Sequence, residues 1–179
     1  FSGHSSYVWS VSFSPDGKTL GTASWDGESR FWAAATGIPL ARGRGGFLSW
    51  GPDNRSAAFT VGTRRIGRWR IAPGDEGRRL QFRISGKGPR ALAMSPEGDF
   101  VAAACDANGL QLALVRGGGT WLLSAARTRD VAFLPDGRGL LAASDRLLYF
   151  PVVRGDGGIR ITEPRVLLSP GPFTAVSTD

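Results

Sequence analysis

The sequence predicts an all-β chain assembled from repeated four-stranded antiparallel sheets. Three observations carry this. A turn signature recurs along the chain, short alternating apolar segments flank each copy, and nowhere does a helical period persist for ten residues. The turn reads Phe13-Ser14-Pro15-Asp16-Gly17, then Trp50-Gly51-Pro52-Asp53-Asn54, Met94-Ser95-Pro96-Glu97-Gly98 and Phe133-Leu134-Pro135-Asp136-Gly137. Its prolines stand 37, 44 and 39 residues apart, and a weaker fifth copy, Val176-Ser177-Thr178-Asp179, follows. Four strands in each unit of about 40 residues is the signature of β-propeller blades. A sandwich has no reason to keep that period.

Each element follows from local chemistry. Proline pre-sets φ at the first turn position, the carboxylate accepts nearby backbone N–H groups, and Gly or Asn takes the left-handed conformation that comes next. Before the turn, Val11/Phe13, Leu48/Trp50, Leu92/Met94 and Val131/Phe133 alternate as the buried side of a first strand. Leu20, Ala57, Val101 and Leu140 open a second strand after it. Third strands read most clearly at Ser29–Trp32 and Arg65–Ile71, and fourth strands at Ile38–Ala41, Leu80–Ile84, Trp121–Ser124 and Arg165–Leu168. The expected blades are 1–41, 42–84, 85–124 and 125–169, with 170–179 starting a fifth. The propeller is therefore expected to be incomplete, and a chain that begins at Phe1 without a signal-peptide pattern reads as a piece of a longer protein.

Composition narrows the function. Of 179 residues 41% are apolar and 21% charged, which suits a globular chain, and 26 glycines with 11 prolines suit many tight turns. No apolar run approaches the ~20 residues of a membrane helix, so a cytoplasmic location without membrane insertion is expected. One cysteine excludes an internal disulfide, and one histidine removes most metal and triad chemistry. No cofactor and no metal are expected. Within a formal charge of +7, residues 42–90 carry 12 basic against 3 acidic side chains. Arginine supplies 20 of the 22 basic residues, a usage that a GC-rich coding sequence also produces.

The first unit resembles the WD-repeat (tryptophan–aspartate repeat) β-propeller family. Gly3-His4, Val11 to Gly17, Ala23-Ser24-Trp25-Asp26-Gly27 and Phe31-Trp32 follow that repeat, although the naming dipeptide reads Trp32-Ala33. The resemblance implies a hydrogen-bonded structural tetrad of His4, Ser24, Asp26 and Trp32. At the corresponding offsets unit two has Ala41, Val61, Thr63 and Trp69, unit three has Ser85, Cys105, Ala107 and Ala113, and unit four has Ser124, Ser144, Arg146 and Val152. Only the first set is complete, so the later blades are expected to rely on apolar packing. Thr22–Gly27 and Ala35–Leu40 further resemble bacterial-type tandem repeats attached to signalling proteins, including serine/threonine kinases.

Catalytic readings are weak. His4, Ser24 and Asp26 as a hydrolytic triad would need an oxyanion site and an accessible hydroxyl, whereas the resemblance puts them inside a blade. Cys105 sits in an Ala-rich strand with no cation near it in sequence. Gly117-Gly118-Gly119 lacks the Lys-Ser/Thr of a phosphate loop, and Asp75-Glu76 lies in a Pro/Gly loop. A propeller hydrolase would need clustered metal ligands. Nucleic-acid binding would need aromatic residues among the arginines, and 62–65 and 86–90 hold none. The expected function is a non-catalytic protein–protein interaction scaffold in a larger bacterial signalling or regulatory protein. The alternative is a ligand-sensing propeller attached to a kinase.

In an up-and-down blade the strand 2–3 and strand 4–1 connections emerge at one end. Those connections are expected to carry Arg42, Arg44, Arg64, Arg65, Lys87, Arg90, Arg127 and Arg129, opposed mainly by Asp106 and Asp130, while the repeated turn carboxylates gather at the other end. The expected partner is an acidic protein segment on the basic end. Trp25 either anchors that partner or packs on a neighbouring loop, and Tyr7 and Trp9 are candidates to join it.

Overall fold

A computed structural model describes residues 2–62, 64–72, 75–76, 80–83, 88–106, 108–115, 119–155 and 158–168. Lys87, Thr63, Ser85, Ala107, the side chain of Leu48 and the expected fifth strand at 170–179 lie outside the described residues.

Four antiparallel sheets follow one another along the chain. Blade 1 is β1 (Val8–Phe13), β2 (Thr19–Ser24), β3 (Glu28–Ala33) and β4 (Pro39–Arg44), paired in that order. Blade 2 is β5 (Gly46–Trp50), β6 (Ser56–Val61) and β7 (Arg65–Ala72), with β7 pairing both the two-residue β8 (Asp75–Glu76) and β9 (Leu80–Arg83). Blade 3 is β10 (Ala91–Met94), β11 (Phe100–Cys105), β12 (Gly109–Leu114) and β13 (Thr120–Ser124). Blade 4 is β14 (Asp130–Phe133), β15 (Gly139–Ala143) and the long β16 (Leu147–Gly155), which pairs first β18 (Arg165–Leu168) and then, further out, β17 (Gly158–Ile161). The described fold is an all-β, incomplete β-propeller whose sheets do not close into a ring. The expected fourth strands fall on β4, β9, β13 and β18.

The turns form as their residues dictate. Gly17, Asn54, Gly98 and Gly137 all adopt positive φ, at 69°, 55°, 71° and 70°, and Asn54 is the one non-glycine among the described residues to do so. Asp16 Oδ1 accepts the Ser14 hydroxyl at 2.6 Å and the Lys18 N–H at 3.1 Å, and Asp53 Oδ1 accepts the N–H groups of Arg55 and Ser56 at 3.0 and 2.7 Å.

The core lies between blades. Each sheet turns a leading face to the blade before it and a trailing face to the blade after it. Phe31 on the trailing face of blade 1 meets Trp50, Ala57 and Trp69 of blade 2, with ring centroids 5.4 Å from Trp50 and 4.9 Å from Trp69. Ala58 and Ile66 of blade 2 meet Leu92, Met94, Val101 and Ala103 of blade 3. Ala102, Ala104, Leu110 and Leu112 of blade 3 meet Val131, Phe133, Leu140 and Phe150 of blade 4. Trp50 Nε1–H also donates to the Ser12 carbonyl at 3.0 Å, and the Met94 N–H to Ser49 Oγ at 3.2 Å, tying first strands together.

Three expectations are corrected. Val11 and Phe13 are 59% and 58% exposed, because the blade-1 leading face has no preceding sheet, although their counterparts Val131 and Phe133 are buried. The fourth strand of blade 1 runs on to Arg44 instead of ending at Ala41, since β3 and β4 stay paired as far as Glu28↔Arg44. The position matching Trp32 in blade 4 is Phe150, opposite Leu140 as Trp32 is opposite Leu20, and not Val152. The Ser144–Arg146 turn is shorter than its counterpart in blade 1, and this shifts the count by two.

Candidate functional site: the loop end of blade 1

The side chain at the hub of the blade-1 network is Thr22. Trp32 Nε1 has only a proton to give, and it donates to Thr22 Oγ1 at 2.9 Å. That oxygen lies 2.8 Å from His4 Nε2 and 3.4 Å from the Arg30 carbonyl. The shorter contact takes the threonine proton, so Nε2 accepts and Nδ1–H donates to Asp26 Oδ2 at 2.8 Å. One neutral tautomer satisfies every member. The side chains of His4 and Asp26 keep only 7% and 8% of their exposure.

This corrects the expected membership of Ser24. Thr22 and Ser24 point to the same leading face, two residues apart, but Ser24 sits nearer the strand end. Its hydroxyl donates to the Ser6 carbonyl at 3.1 Å and accepts the Asp26 N–H at 3.2 Å. The signal for Thr22 was the register: Trp32 lies opposite Leu20, which makes Thr22 the next residue on the shared face. In the other blades that place holds Phe59, Ala103 and Ala142, all buried and apolar. Phe59 packs edge-on against Trp69, with centroids 6.1 Å apart.

Burial is the largest single influence on the Asp26 carboxyl and pushes it up. The Glu28 N–H, the His4 ring and the Ser5 N–H together outweigh it and hold the group at about 2. The carboxylate therefore stays charged and fixes the turn Ser24–Gly27. Trp25, the residue before it, is 72% exposed, and its N–H donates to the Tyr7 carbonyl at 2.9 Å. The Tyr7 ring, 77% exposed, meets the Trp25 ring edge-on at 5.7 Å. Trp9 does not join them at the surface. It is half-buried at the seam between blades, and a Cβ on Gly46 would come within 2.9 Å of its ring.

Gly45 N–H donates to the Gly27 carbonyl at 3.1 Å, which sets the end of β4 beside the Trp25 turn. Arg44 closes β4 there, Arg64 lies in the equivalent β6–β7 turn of blade 2 and Arg65 opens β7; all three are exposed. Arg42 differs from expectation: it lies within β4 opposite Arg30, not in a connection. At the same end of blades 3 and 4, Asp106 pairs with both Arg90 and Arg127, the latter at 2.8 Å. The Arg127 hydrogen bond is the main cause that lowers the Asp106 carboxyl. Asp106 thus partly offsets the charge of Arg90 and Arg127. At the opposite end Arg154 pairs with Glu97 and, at 3.5 Å, with Asp99, while Arg68 pairs with Asp53 at 3.4 Å.

Cys105 is buried, and burial followed by the Asp106 charge pushes its thiol up to about 11, leaving no thiolate at neutral pH. Among the described residues no three His, Cys, Asp or Glu side chains group as metal ligands, and no helix is long and apolar enough to cross a membrane.

Interlocking four-stranded sheets with a buried His–Thr–Trp–Asp network define a β-propeller of the repeat type. Residues 1–33 match the family model of the WD domain, G-beta repeat (WD40). A chain of the solved structure titled "Crystal Structure of Mitotic Checkpoint Complex" superposes with a TM-score of 0.70 at 18% identity, covering 84% of this chain and 49% of that one. The chain thus spans about half the length of that propeller-fold relative. No curated protein sequence matches it. The chain carries a β-propeller fold, and residues 1–33 match a WD40 repeat.

Proposed function

We propose that the chain is a non-catalytic protein-interaction module that receives an acidic segment on the loop end of blades 1 and 2. The observation that carries this is the exposed Tyr7–Trp25 pair at the end of blade 1 where β4 closes with Arg44, the equivalent end of blade 2 carrying the exposed Arg64 and Arg65. Aromatic and arginine side chains supply most interface hot spots, and the Trp25 turn is held in place before any partner arrives by Asp26 and the backbone bond to Tyr7. A non-catalytic reading also fits the site chemistry: both His4 nitrogens and the Thr22 hydroxyl are engaged within the blade. A role inside a larger cytoplasmic, bacterial signalling or regulatory protein, a kinase among them, belongs to the same proposal.

The test is fluorescence anisotropy of a labelled acidic peptide with one central leucine, titrated with the chain over a salt series. Binding that weakens with salt, with Trp25→Ala and with Arg64→Glu/Arg65→Glu supports the reading. Affinity indifferent to salt and to the charge reversal removes it.

A further inference from the structure

Blade 3 carries a charged cluster built from three different connections. Asp106 stands in the turn between β11 and β12, Arg90 in the connection into β10 and Arg127 in the connection out of β13. Both arginines converge on the one carboxylate: Arg90 Nε–H donates to Oδ2 and Arg127 Nε–H to Oδ1, the latter at 2.8 Å. The backbone fixes this convergence. Arg90 N–H donates to the Ala104 carbonyl at 2.8 Å and Thr128 N–H to the Cys105 carbonyl at 3.2 Å, so both arginine-bearing connections are tied to the two residues that precede Asp106. Thr128 is itself buried, and its hydroxyl donates to the Ala126 carbonyl at 2.9 Å. On the other side of the turn, a Cβ on Gly109 would overlap the Ser124 carbonyl, so the turn lies directly against the stretch that leads to Arg127.

The layering of the cluster leaves binding capacity on the outside. Asp106 is the covered member, its side chain 27% exposed, while those of Arg90 and Arg127 are 59% and 61% exposed. A guanidinium has five N–H donors. Each arginine commits its Nε–H to Asp106 and makes no further side-chain hydrogen bond to the described residues, so the Nη groups of both remain open. Two guanidinium charges over one carboxylate leave a surplus of one positive charge, and Arg129 and Asp130, which follow, add one charge of each sign.

We propose that Arg90 and Arg127 together hold one carboxylate of a partner protein, an aspartate or glutamate side chain, through their Nη groups. The arrangement repeats what Asp106 does, with Nη donors in place of Nε. A carboxylate neutralises the surplus charge, whereas a phosphate dianion would turn the cluster net negative beside Asp106. The open surface suits a partner's side chain, since a small free acid needs a pocket that encloses most of it. Because Asp106 holds both guanidiniums in place beforehand, less side-chain freedom is lost on binding. The inference rests on the acidic-partner reading for the class of partner, but its site lies on blade 3 and is tested at residues of its own.

The probe is a hexaglutamate peptide, acetylated and amidated at its ends, which has carboxylates but no apolar side chain for Trp25. Titrated at fixed ionic strength into the isotope-labelled chain, it should shift the Nε–H signals of Arg90 and Arg127, identified from Arg90→Lys and Arg127→Lys. Arg90→Gln, followed at the Arg127 signal, and Arg127→Gln, followed at the Arg90 signal, should each weaken the peptide by about tenfold. Asp106→Asn keeps an oxygen acceptor but removes a negative charge, and should tighten the peptide at both signals by about threefold. A merely structural Asp106 would not produce that gain. Trp25→Ala and Arg64→Glu/Arg65→Glu should leave both shifts unchanged, so the loop end of blades 1 and 2 can fail as a binding site while this one stands. Replacing a central glutamate of the peptide by phosphoserine should not tighten binding at these signals. Circular dichroism should show native β content in every variant. Signals of Arg90 and Arg127 that stay still, Asp106→Asn binding no tighter, shifts abolished by the Arg64 and Arg65 reversal, or tighter binding of the phosphoserine peptide would each overturn the proposal.

Discussion

Asp26 Oδ2 lies 2.8 Å from Nδ1 of His4, twenty-two residues earlier, and this one contact joins the chain entering blade 1 to the turn between β2 and β3. The same carboxylate accepts the N–H groups of Ser5, through Oδ2, and of Glu28, through Oδ1. Removing it strands an imidazole proton and the part-buried Glu28 N–H, and releases the more exposed Ser5 N–H. Asp26→Ala should therefore cost about 1–3 kcal/mol. Urea unfolding of the native and variant chains measures it, and a shift of only a few tenths would mean that the network adds no stability.

Thr22 and Ser24 can be told apart by the same measurement. Thr22→Val keeps the shape but leaves the Trp32 N–H and the His4 Nε2 without their shared oxygen. Ser24→Ala loses a carbonyl contact nearer the surface. The threonine variant should be the less stable of the two, by about 1 kcal/mol or more. Equal losses would return Ser24 to the hub.

Acid should weaken blade 1 through Asp26. Its carboxyl in the fold sits at about 2, below the ordinary 3.8, so the folded state favours the charged form. That contribution is complete above 3.8 and disappears as pH falls from there towards 2. Urea midpoints should drop across that window, and Asp26→Asn should flatten this part of the profile. An unchanged slope in the variant would assign the acid sensitivity to other carboxylates.

The repeat period was legible because a turn that needs φ restriction, a carboxylate and a left-handed residue in sequence leaves few residue choices. The faces were less so. Alternation placed Val11 and Phe13 on the packing side of β1, and they are there, but burial also requires a neighbouring sheet. The Thr22 and Ser24 hydroxyls share one face, so composition could not choose between them; only the strand register does. The small β8 and β17 ribbons, Asp75–Glu76 and Gly158–Ile161, carry no periodic pattern long enough to read, and they exist because β7 and β16 outrun their other partners. At the candidate site, Trp25 and Tyr7 were legible as aromatics in exposed connections. The capture of Arg90 by Asp106 was not, because it depends on how two connections meet in space.

Trp25→Ala should leave stability within about 0.5 kcal/mol of native, since the indole is mostly solvated and its structural bond is made by its backbone. Its loss should appear in partner binding alone. A large loss of stability would show the indole to be a packing residue of the loop end.

Gly43 is what lets β4 run on to Arg44. A Cβ placed on Gly43 would come within 2.9 Å of the Trp69 ring, and Trp69 is held from its other sides by Phe31 and Phe59. The indole of blade 2 thus lies directly on the backbone of β4, and glycine is the residue that permits the approach. Gly43→Ala must push the ring or the strand aside, and overpacking of this kind costs about 1–3 kcal/mol. Because β4 carries Arg44 to the loop end, the displacement should also weaken binding of the acidic peptide, whereas Gly17→Ala, at a turn on the opposite end with open space around it, should lower stability through its positive φ without touching binding. Measuring urea midpoint and peptide affinity for both variants separates the two effects. Equal binding by the Gly43 variant would mean that Arg44 is not positioned by the Trp69 contact.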